Sequence, residues 1–369
     1  MDFSLTDDQV MIRDAAQDFL RDNSDSEAVR RAMRAETGFE PAVWNAIAAE
    51  LGWCAVAVPE AHGGMGMGAV ELMLIQEQAG YHLLCSPFFS TVCLGTTLLT
   101  CLGSEEAQAE CLPQVAEGGL RLATSMSDEL TLTARQEGEH WLLDGEVSQV
   151  CDAGADSLML LFAKLDDGFG LFAVAGDAEG VSIDARTGWD ASRRFASVRL
   201  KGAAAVRRCD DASRLPTGGP QATALARLYV AAEQLGAAQR CLDLTVAYIS
   251  ERKQFGRVVG SFQAIKHRVA EMMVQVEGLR SAVYGAAAQA ASDAPLQDLA
   301  MECAMAKALA SETLFHCAGE AIQLHGGVGF TEEYDPGLFF KRARASKTWL
   351  GTPEELREEI STVLLGAAS

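Results

Sequence analysis

The stretch from Tyr248 to Val269 constrains the fold most, because it joins two long segments of helical pattern through a short polar connection. Gly256 and Gly260 interrupt the connection, and Ser261 is placed to cap the helix that follows. After it, apolar residues recur at alternating steps of three and four, at Phe262, Ile265, Val269, Met272, Val276, Leu279 and Val283. This spacing predicts a helix that buries one face against another helix.

The connection also carries polar groups that suit a phosphate ester. Arg252 and Gln254 lie within it, and Gln263 begins the next helix. A guanidinium fork, amide donors and unpaired N–H groups at a helix start bind phosphate oxygens well. For an arginine taken alone, a solvated surface charge is the plainer interpretation. A second stretch favours binding, namely Gln-Leu-His-Gly-Gly-Val-Gly-Phe from Gln323 to Phe330.

Together the two stretches resemble the acyl-CoA dehydrogenase family, which carries an Arg-x-Gln-Phe-Gly turn, then Phe-Gln, then Gln-x-x-Gly-Gly-x-Gly. The resemblance implies FAD as cofactor, an acyl-CoA thioester as substrate in lipid metabolism, and electron-transferring flavoprotein as electron acceptor. It implies these cofactor-binding residues: Arg252, Gln254, Phe255, Gln263, Gln323, Gly326, Gly327 and Thr352.

The patterns along the chain predict an α+β protein in three segments. Residues 1–118 have helical spacing, with Thr6 as the first N-cap. Residues 119–215 alternate short apolar and polar runs with frequent turn signals, which predicts an antiparallel sheet or small barrel. Residues 216–369 are helical again. The resemblance implies an acyl-CoA dehydrogenase-like fold: an N-terminal helical domain, a central antiparallel β domain and a C-terminal four-helix bundle.

Composition excludes several classes of function. The formal net charge of −21 disfavours nucleic acid and anionic membrane surfaces, because both would be repelled. The sequence shows no apolar run of membrane-spanning length, so we expect no membrane insertion. The ten cysteines include no C-x-x-C pair and no metal-ligand spacing. We therefore expect reduced, buried thiols in a cytoplasmic protein without a metal site.

The residue that should act as catalytic base is absent from both places where the resemblance puts it. Family members remove the α-proton of the thioester with a carboxylate while the β-hydrogen leaves as hydride to the flavin. The matching positions hold Leu350 and, for a minority of the family, Ala226. Glu233 lies seven residues after Ala226, on the same helical face, and we nominate it as the catalytic base. A structural glutamate with a charged partner is the alternative.

The predicted β domain departs from the family pattern as well. The stretches that match the family's flavin-contacting motifs run from Ala123 to Asp128 and from Val147 to Asp152. Of their residues, Thr124, Ser125 and Ser127 still carry hydroxyl donors. The chain thus keeps the motifs that, in the family, reach a neighbour's FAD, and has lost much of what serves its own site.

Three hypotheses follow. The chain is an active dehydrogenase with an unconventional base, or a non-catalytic subunit that completes a partner's FAD site, or a related fold with another activity. The resemblance implies a homo-oligomer or a heterotetramer with a second acyl-CoA dehydrogenase-like chain. The heteromeric type acts on steroid side chains, and small residues where a base could stand are compatible with a bulky acyl group.

Overall fold

A computed structural model describes residues 5–126, 130–138, 140–166, 168–209 and 214–366. These residues divide into two compact units. The helical unit comprises residues 5–30, 73–84 and 227–366, and the sheet unit comprises residues 31–72 and 85–226. Each unit is built from segments that are distant in sequence, so neither is a simple stretch of the chain. The domain limits at 118 and 215 stay a prediction.

The chain begins with helices, as its pattern predicts. Thr6 caps α1 with a capping box, because its hydroxyl accepts from Gln9 N while the Gln9 side chain accepts from Thr6 N. A π-helical turn, Ala46–Glu50, extends α3, and another, Phe89–Thr96, precedes α5. The helices of this part are α1 (Asp7–Asn23), α2 (Ser26–Arg34), α3 (Pro41–Asn45), α4 (Ala69–Tyr81), α5 (Thr97–Leu102) and α6 (Glu105–Ala116).

Seven strands then form one sheet. They are β1 (Arg121–Ser125), β2 (Thr133–Glu137), β3 (His140–Cys151), β4 (Ser157–Leu165), β5 (Gly168–Ala175), β6 (Val181–Arg186) and β7 (Phe195–Arg207). Their order is β1-β3-β2-β4-β5-β7-β6, with further pairings β1–β4 and β3–β7. The ladders are antiparallel except those of β4 with β1 and β2. A sheet that follows one helical segment and precedes another confirms the predicted fold class.

The core of the sheet unit follows from strand burial. Strand β4 is rich in leucine, and Met159, Leu160 and Leu161 are almost fully buried on both faces. One apolar cluster centres on Leu143, Val147 and Phe172 of β3 and β5. Another joins β4 and β5 to α5 and α6. Burial on both faces explains the apolar runs of these strands.

The last part of the chain is helical, and its helices contain the candidate site. Helix α7 begins in the sheet unit and continues in the helical unit from Arg227. The apolar stripe of α8 is buried at Met272, Val276, Leu279 and Val283, as its spacing predicts. The elements are α7 (Leu215–Glu251), β8 (Lys253–Gln254), β9 (Arg257–Val258), α8 (Gln263–Ala290), α9 (Leu296–His325), α10 (Pro336–Ser346) and α11 (Pro353–Leu365).

The structure bears on three expectations from composition, which concern thiols, membrane insertion and a metal site. All ten cysteines lie in described parts of the chain and are free thiols, nine of them buried. Among the described residues, none of the helices has the length and apolar character that crossing a membrane requires. The same residues contain no group of three or more His, Cys, Asp or Glu side chains placed to hold a metal ion.

Candidate functional site

The two stretches that carry the sequence motifs meet in the helical unit. The Tyr248 ring, near the end of α7, stacks on the His325 ring at the end of α9, with centroids 4.3 Å apart. Arg268 of α8 donates to Glu320 of α9, with Nη2 and Oε1 2.7 Å apart. The α7–α8 connection, the start of α8 and the glycine-rich loop therefore form one surface, which we call the arginine–glutamine face.

A two-stranded hairpin forms the edge of this face. Gln254 pairs with Arg257, and Phe255 and Gly256 form the turn with φ of 52° and 75°. Positive φ at both central residues is the geometry of a tight two-residue hairpin turn, and it is unfavourable for phenylalanine. The Phe255 side chain is nevertheless 91% exposed.

All predicted cofactor-binding residues except Thr352 lie on the arginine–glutamine face, where their polar groups are accessible. Arg252 is exposed, and within the described residues it makes no ion pair. The amides of Gln254, Gln263 and Gln323 are exposed too, and Gln263 Nε2 lies 3.0 Å from His267 Nε2.

The glycine-rich loop leaves room beside the backbone. Gly326 has φ 66° and ψ −141°, a conformation open to glycine alone. A Cβ on Gly326 or Gly327 would find no atom within 4 Å. The loop thus offers exposed backbone to a ligand.

The structure bears differently on Ser261 and on Thr352. Ser261 was expected to cap α8, and this prediction is wrong. The helix begins at Gln263 with Phe262 as N-cap and no side-chain cap, because the Ser261 hydroxyl donates to the Val258 carbonyl, 2.6 Å away. Thr352, predicted to bind the cofactor, accepts from Glu355 N and caps α11. That cap uses one lone pair of the Thr352 hydroxyl, so a cofactor contact there stays a prediction.

Glu233 lies in a buried ion pair. Its side chain is 3% exposed and that of Arg342, from α10, is 1% exposed. Arg342 Nη1 donates to Glu233 Oε1, and Gln76 Nε2 donates to Oε2 at 2.7 Å. Both carboxylate oxygens therefore accept hydrogen bonds from buried donors. A structural glutamate with a charged partner, the alternative to a catalytic base, would have this arrangement. The catalytic role of Glu233 stays a prediction.

The loop at the usual place of the base is held by an arginine. Arg227 Nε donates to the Leu350 carbonyl oxygen at 3.0 Å. Both terminal nitrogens of Arg227 also bind the Glu359 carboxylate, at 2.7 and 2.9 Å. Leu350 has φ 57°, so its backbone is in the left-handed region. Its side chain has no group that accepts a proton.

A buried lysine in α9 was missed by the sequence analysis. Lys307 is fully buried, and its Nζ donates to Ser311 Oγ at 2.7 Å and to the Ser346 carbonyl oxygen at 3.3 Å. Burial, with a smaller contribution from the charge of Arg227, lowers the pKa of Lys307 to about 7. The signal available in the sequence was a single lysine in an alanine-rich helix, four residues before a serine.

In the sheet unit, the hydroxyl groups expected near a flavin are bonded within the protein. Thr124 Oγ1 donates to the Leu160 carbonyl oxygen at 2.9 Å, and Ser125 Oγ to the Ser148 carbonyl oxygen at 3.0 Å. Ser127 lies outside the described residues. Burial is the main cause that raises the pKa of Asp152, whose φ is 54°. The hydroxyl protons of Thr124 and Ser125 are thus donated to backbone carbonyl oxygens within the protein.

Comparison with known proteins decides the family. The family model "Acyl-CoA dehydrogenase, C-terminal domain" matches residues 221–365, and "Acyl-CoA dehydrogenase, N-terminal domain" matches residues 6–119. The acyl-CoA dehydrogenase IpdE2 of Mycolicibacterium smegmatis is 32% identical over 352 residues, covering 95% of this chain and 97% of that protein. The chain belongs to the acyl-CoA dehydrogenase family. It is thus related to flavin-dependent oxidoreductases, as the motifs predict.

Two solved acyl-CoA dehydrogenase structures are similar over nearly the whole chain. A chain of the ChsE4-ChsE5 complex from Mycobacterium tuberculosis is 26% identical with a TM-score of 0.90, covering 100% of both chains. A chain of the Tcur3481-Tcur3483 steroid ACAD is 27% identical with a TM-score of 0.88, covering 98% of this chain and 99% of that one. Both structures are named for two gene products, so the heteromeric acyl-CoA dehydrogenases are among the structures that this chain resembles.

Proposed function

We propose that this chain acts in the FAD-dependent α,β-dehydrogenation of an acyl-CoA thioester, as the subunit that completes the FAD site of a neighbouring chain. The observation that carries the proposal is the contrast between two parts of the helical unit. The arginine–glutamine face is exposed, and Arg252 there makes no ion pair with any described residue. The loop at the usual place of the base presents Leu350.

The residues of the arginine–glutamine face fit the diphosphate of FAD. Arg252 offers a fork of donors, and the glutamines offer neutral amide donors. The open backbone at Gly326 and Gly327 admits a ligand without a Cβ in its way. When bound, FAD supplies the hydride acceptor for the β-hydrogen. This chain would bind and orient it through these side chains.

The loop that carries Leu350 offers no group that could remove the α-proton of the substrate. Removal of the α-proton needs a base near the thioester, and a leucine side chain cannot accept a proton. Arg227 at the Leu350 carbonyl fixes the loop but is itself cationic, so it cannot be that base. Under this proposal the neighbouring chain supplies the carboxylate.

Exposed aromatic side chains support an assembly. Phe255 and Phe330, at the hairpin and at the glycine-rich loop, are 91% and 84% exposed. Large apolar residues at such exposure are stabilised when a second chain covers them. The partner is a second acyl-CoA dehydrogenase-like chain in a heterotetramer, with a homo-oligomer as the alternative. Electron-transferring flavoprotein is the proposed acceptor of the electrons.

A spectrum of the purified chain tests the proposal. Alone, the chain should be colourless or nearly so, and it should gain the flavin absorption band only with the partner chain. A yellow chain that an acyl-CoA thioester bleaches in the absence of any partner would overturn the subunit role.

The contribution of Arg252 is tested in the assembled complex. Arg252→Ala should weaken FAD retention by roughly tenfold or more, because a charge-assisted hydrogen bond to a phosphate is lost. Arg344→Ala is the matched control, since Arg344 is exposed in the same unit and makes no described ion pair. FAD retention is measured by gel filtration followed by flavin fluorescence. Equal retention in the two variants would exclude a diphosphate contact for Arg252.

The second candidate function is an active dehydrogenase with Glu233 as base. Its support is a carboxylate on the expected helix with 3% exposure. The ion pair with Arg342 argues against it, because a base must release its partner to accept a proton. If the chain alone is yellow and active, Glu233→Gln should abolish flavin reduction by substrate, measured on variant protein that circular dichroism shows to be folded. Unchanged reduction in that variant would remove Glu233 as base.

A further inference from the structure

A second possible binding site lies in the helical unit, at a cavity of about 220 Å³. Helices α1, α2, α4, α7 and α10, the connection between α1 and α2 and the residues that follow α4 contribute its walls. The cationic wall carries Arg240 of α7, Arg21 of α1 and the ring of His82. The residues that line the cavity lie outside the motifs of the arginine–glutamine face, so the proposed function leaves the cavity unexplained.

Arg240 faces the cavity without a carboxylate partner among the described residues. Its only hydrogen bond there is a long one of 3.5 Å from Nη1 to the Tyr81 hydroxyl. Its guanidinium carbon lies 5.2 Å from the centre of the Tyr81 ring. Since the Tyr81 hydroxyl donates to Asp243 at 2.9 Å, the tyrosine holds the arginine in place without neutralising it. Most of the five N–H donors of Arg240 remain available to a ligand.

His82 adds a buried polar atom that lacks a partner. Its Nε2 is inaccessible to solvent and makes no hydrogen bond within the described structure. The ring packs against Tyr81 with centroids 5.0 Å apart. Because a water molecule cannot reach this nitrogen, a ligand in the cavity does not bond to it, and a bound charge acts on the ring only through its electric field.

The charges around His82 favour an anion. Burial and, to a smaller extent, the charges of Arg240 and Arg21 lower the pKa of His82 to about 4. The two carboxylates of the lining are already used. Asp335 accepts from Arg30 and from Ser26, and Asp25 accepts from Ala28 N. Arg21 is itself paired with Asp18 and Asp22, so Arg240 is the cation of the lining that is left to stabilise an anion.

Part of the lining is apolar. It consists of Val29, Leu338 and Phe339, of which Val29 is 4% and Phe339 3% exposed. A ligand in this cavity thus meets both cationic donors and aliphatic and aromatic carbon. The combination selects a small amphiphilic anion over a fully hydrated one.

We propose that this cavity binds a short-chain aliphatic carboxylate, with its oxygens on Arg240 and its carbon chain against Val29, Leu338 and Phe339. The proposal does not rest on the role of the chain in dehydrogenation. Its failure and that of the proposed function are therefore separate results.

Butyrate is the probe, and the full-length chain is used. Binding is measured by isothermal titration at constant ionic strength, with NaCl and inorganic phosphate as comparison salts. We expect saturable binding of butyrate and clearly weaker binding of phosphate. Arg240→Gln should weaken butyrate binding by roughly tenfold or more, because a charge-assisted pair is lost. Arg34→Gln, an exposed arginine with no described ion pair, should leave it unchanged.

An NMR titration of His82 gives a readout that needs no variant. Saturating butyrate should move the midpoint of the His82 titration to higher pH, because a bound carboxylate stabilises the protonated ring. The charged groups that face this ring are Arg21, Asp25, Arg240 and Asp335. Phosphate binding as tight as that of butyrate would overturn the carboxylate assignment. An unmoved His82 midpoint, or no saturable binding, would overturn the site.

Discussion

At the scale of single residues, buried charges separate the structural interpretation of this chain from the catalytic one. Glu233 and Arg342 form a pair that is almost fully buried, and Lys307 is buried among neutral partners. In an intact buried pair, the attraction between the charges offsets much of the free energy that removing them from water costs. A single buried charge has no such compensation, so its burial lowers stability. The two sites therefore predict opposite effects of substitution.

Replacing Lys307 should stabilise the protein in a way that depends on pH. The pKa of Lys307 is lowered from 10.5 to about 7 in the folded state. Between these values the unfolded chain binds more protons, so stability of the wild type rises with pH in that window. Lys307→Met removes this dependence, and the Ser346 carbonyl keeps Trp349 N as a donor.

The measurement is urea unfolding of both proteins from pH 7 to pH 9. The stability advantage of Lys307→Met should be largest near pH 7 and shrink by about 1.4 kcal/mol per pH unit above it. Lys266→Met, at an exposed lysine, is the control for a change of side chain alone. An advantage that stays constant with pH would mean that Lys307 is protonated throughout the folded state.

Glu233→Gln should destabilise the chain by about 3–5 kcal/mol, because the carboxylate that faces Arg342 is removed from a buried pair. Glu359→Gln is the control, since Glu359 is 52% exposed in its pair with Arg227 and should cost at most about 1 kcal/mol. Urea unfolding at neutral pH compares the two. Similar small losses would show that the pair is hydrated and weak, which would reopen the catalytic role of Glu233.

At the scale of elements, caps and turns set where the site residues lie. The hairpin of β8 and β9 depends on Gly256, whose φ of 75° suits glycine. The sequence predicted the glycine-punctuated connection but assigned the cap of α8 to Ser261. Local spacing cannot reveal that the Ser261 hydroxyl bonds back to Val258 instead.

At Thr352, substitutions can separate a role in capping α11 from a role in binding the cofactor. Thr352→Ala should lower stability by about 1 kcal/mol, because the capping box of α11 with Glu355 is lost. Thr362→Ala in the same helix is the control, as its hydroxyl bonds only the Glu358 carbonyl. Thr352→Ser keeps the cap. If Thr352→Ser also keeps FAD in the assembled complex and Thr352→Ala loses it without loss of stability, the threonine binds the cofactor directly.

At the scale of the whole molecule, burial makes the thiols inert. Nine of the ten cysteines are buried, and burial raises the pKa of Cys54, Cys303 and Cys317 to about 12. Under native conditions a thiol reagent should modify at most Cys101, the one half-buried cysteine, and all ten after denaturation. Rapid native labelling of several thiols would indicate that the helices open easily. Absorbance of the released thiolate reports the count.

The order of elements was open to prediction because it depends on periodicity. The stripe from Met272 to Val283 and the alternating runs after residue 119 are local patterns, and each element took the predicted type. The parallel pairing of β4 with β1 and β2 was not open to prediction, because it is a contact between strands distant in sequence. The exposed Phe255 was read as a binding residue from the motif, and only the structure revealed its strained turn.

By itself the sequence determined the family, the fold class and the absence of a carboxylate at Leu350 and Ala226, because these depend on residue identity and spacing. The tertiary structure alone decided which charges meet. It paired Glu233 with Arg342, enclosed Lys307 and brought Tyr248 against His325. Such contacts join residues from different helices, and their energies depend on burial, which no local pattern contains.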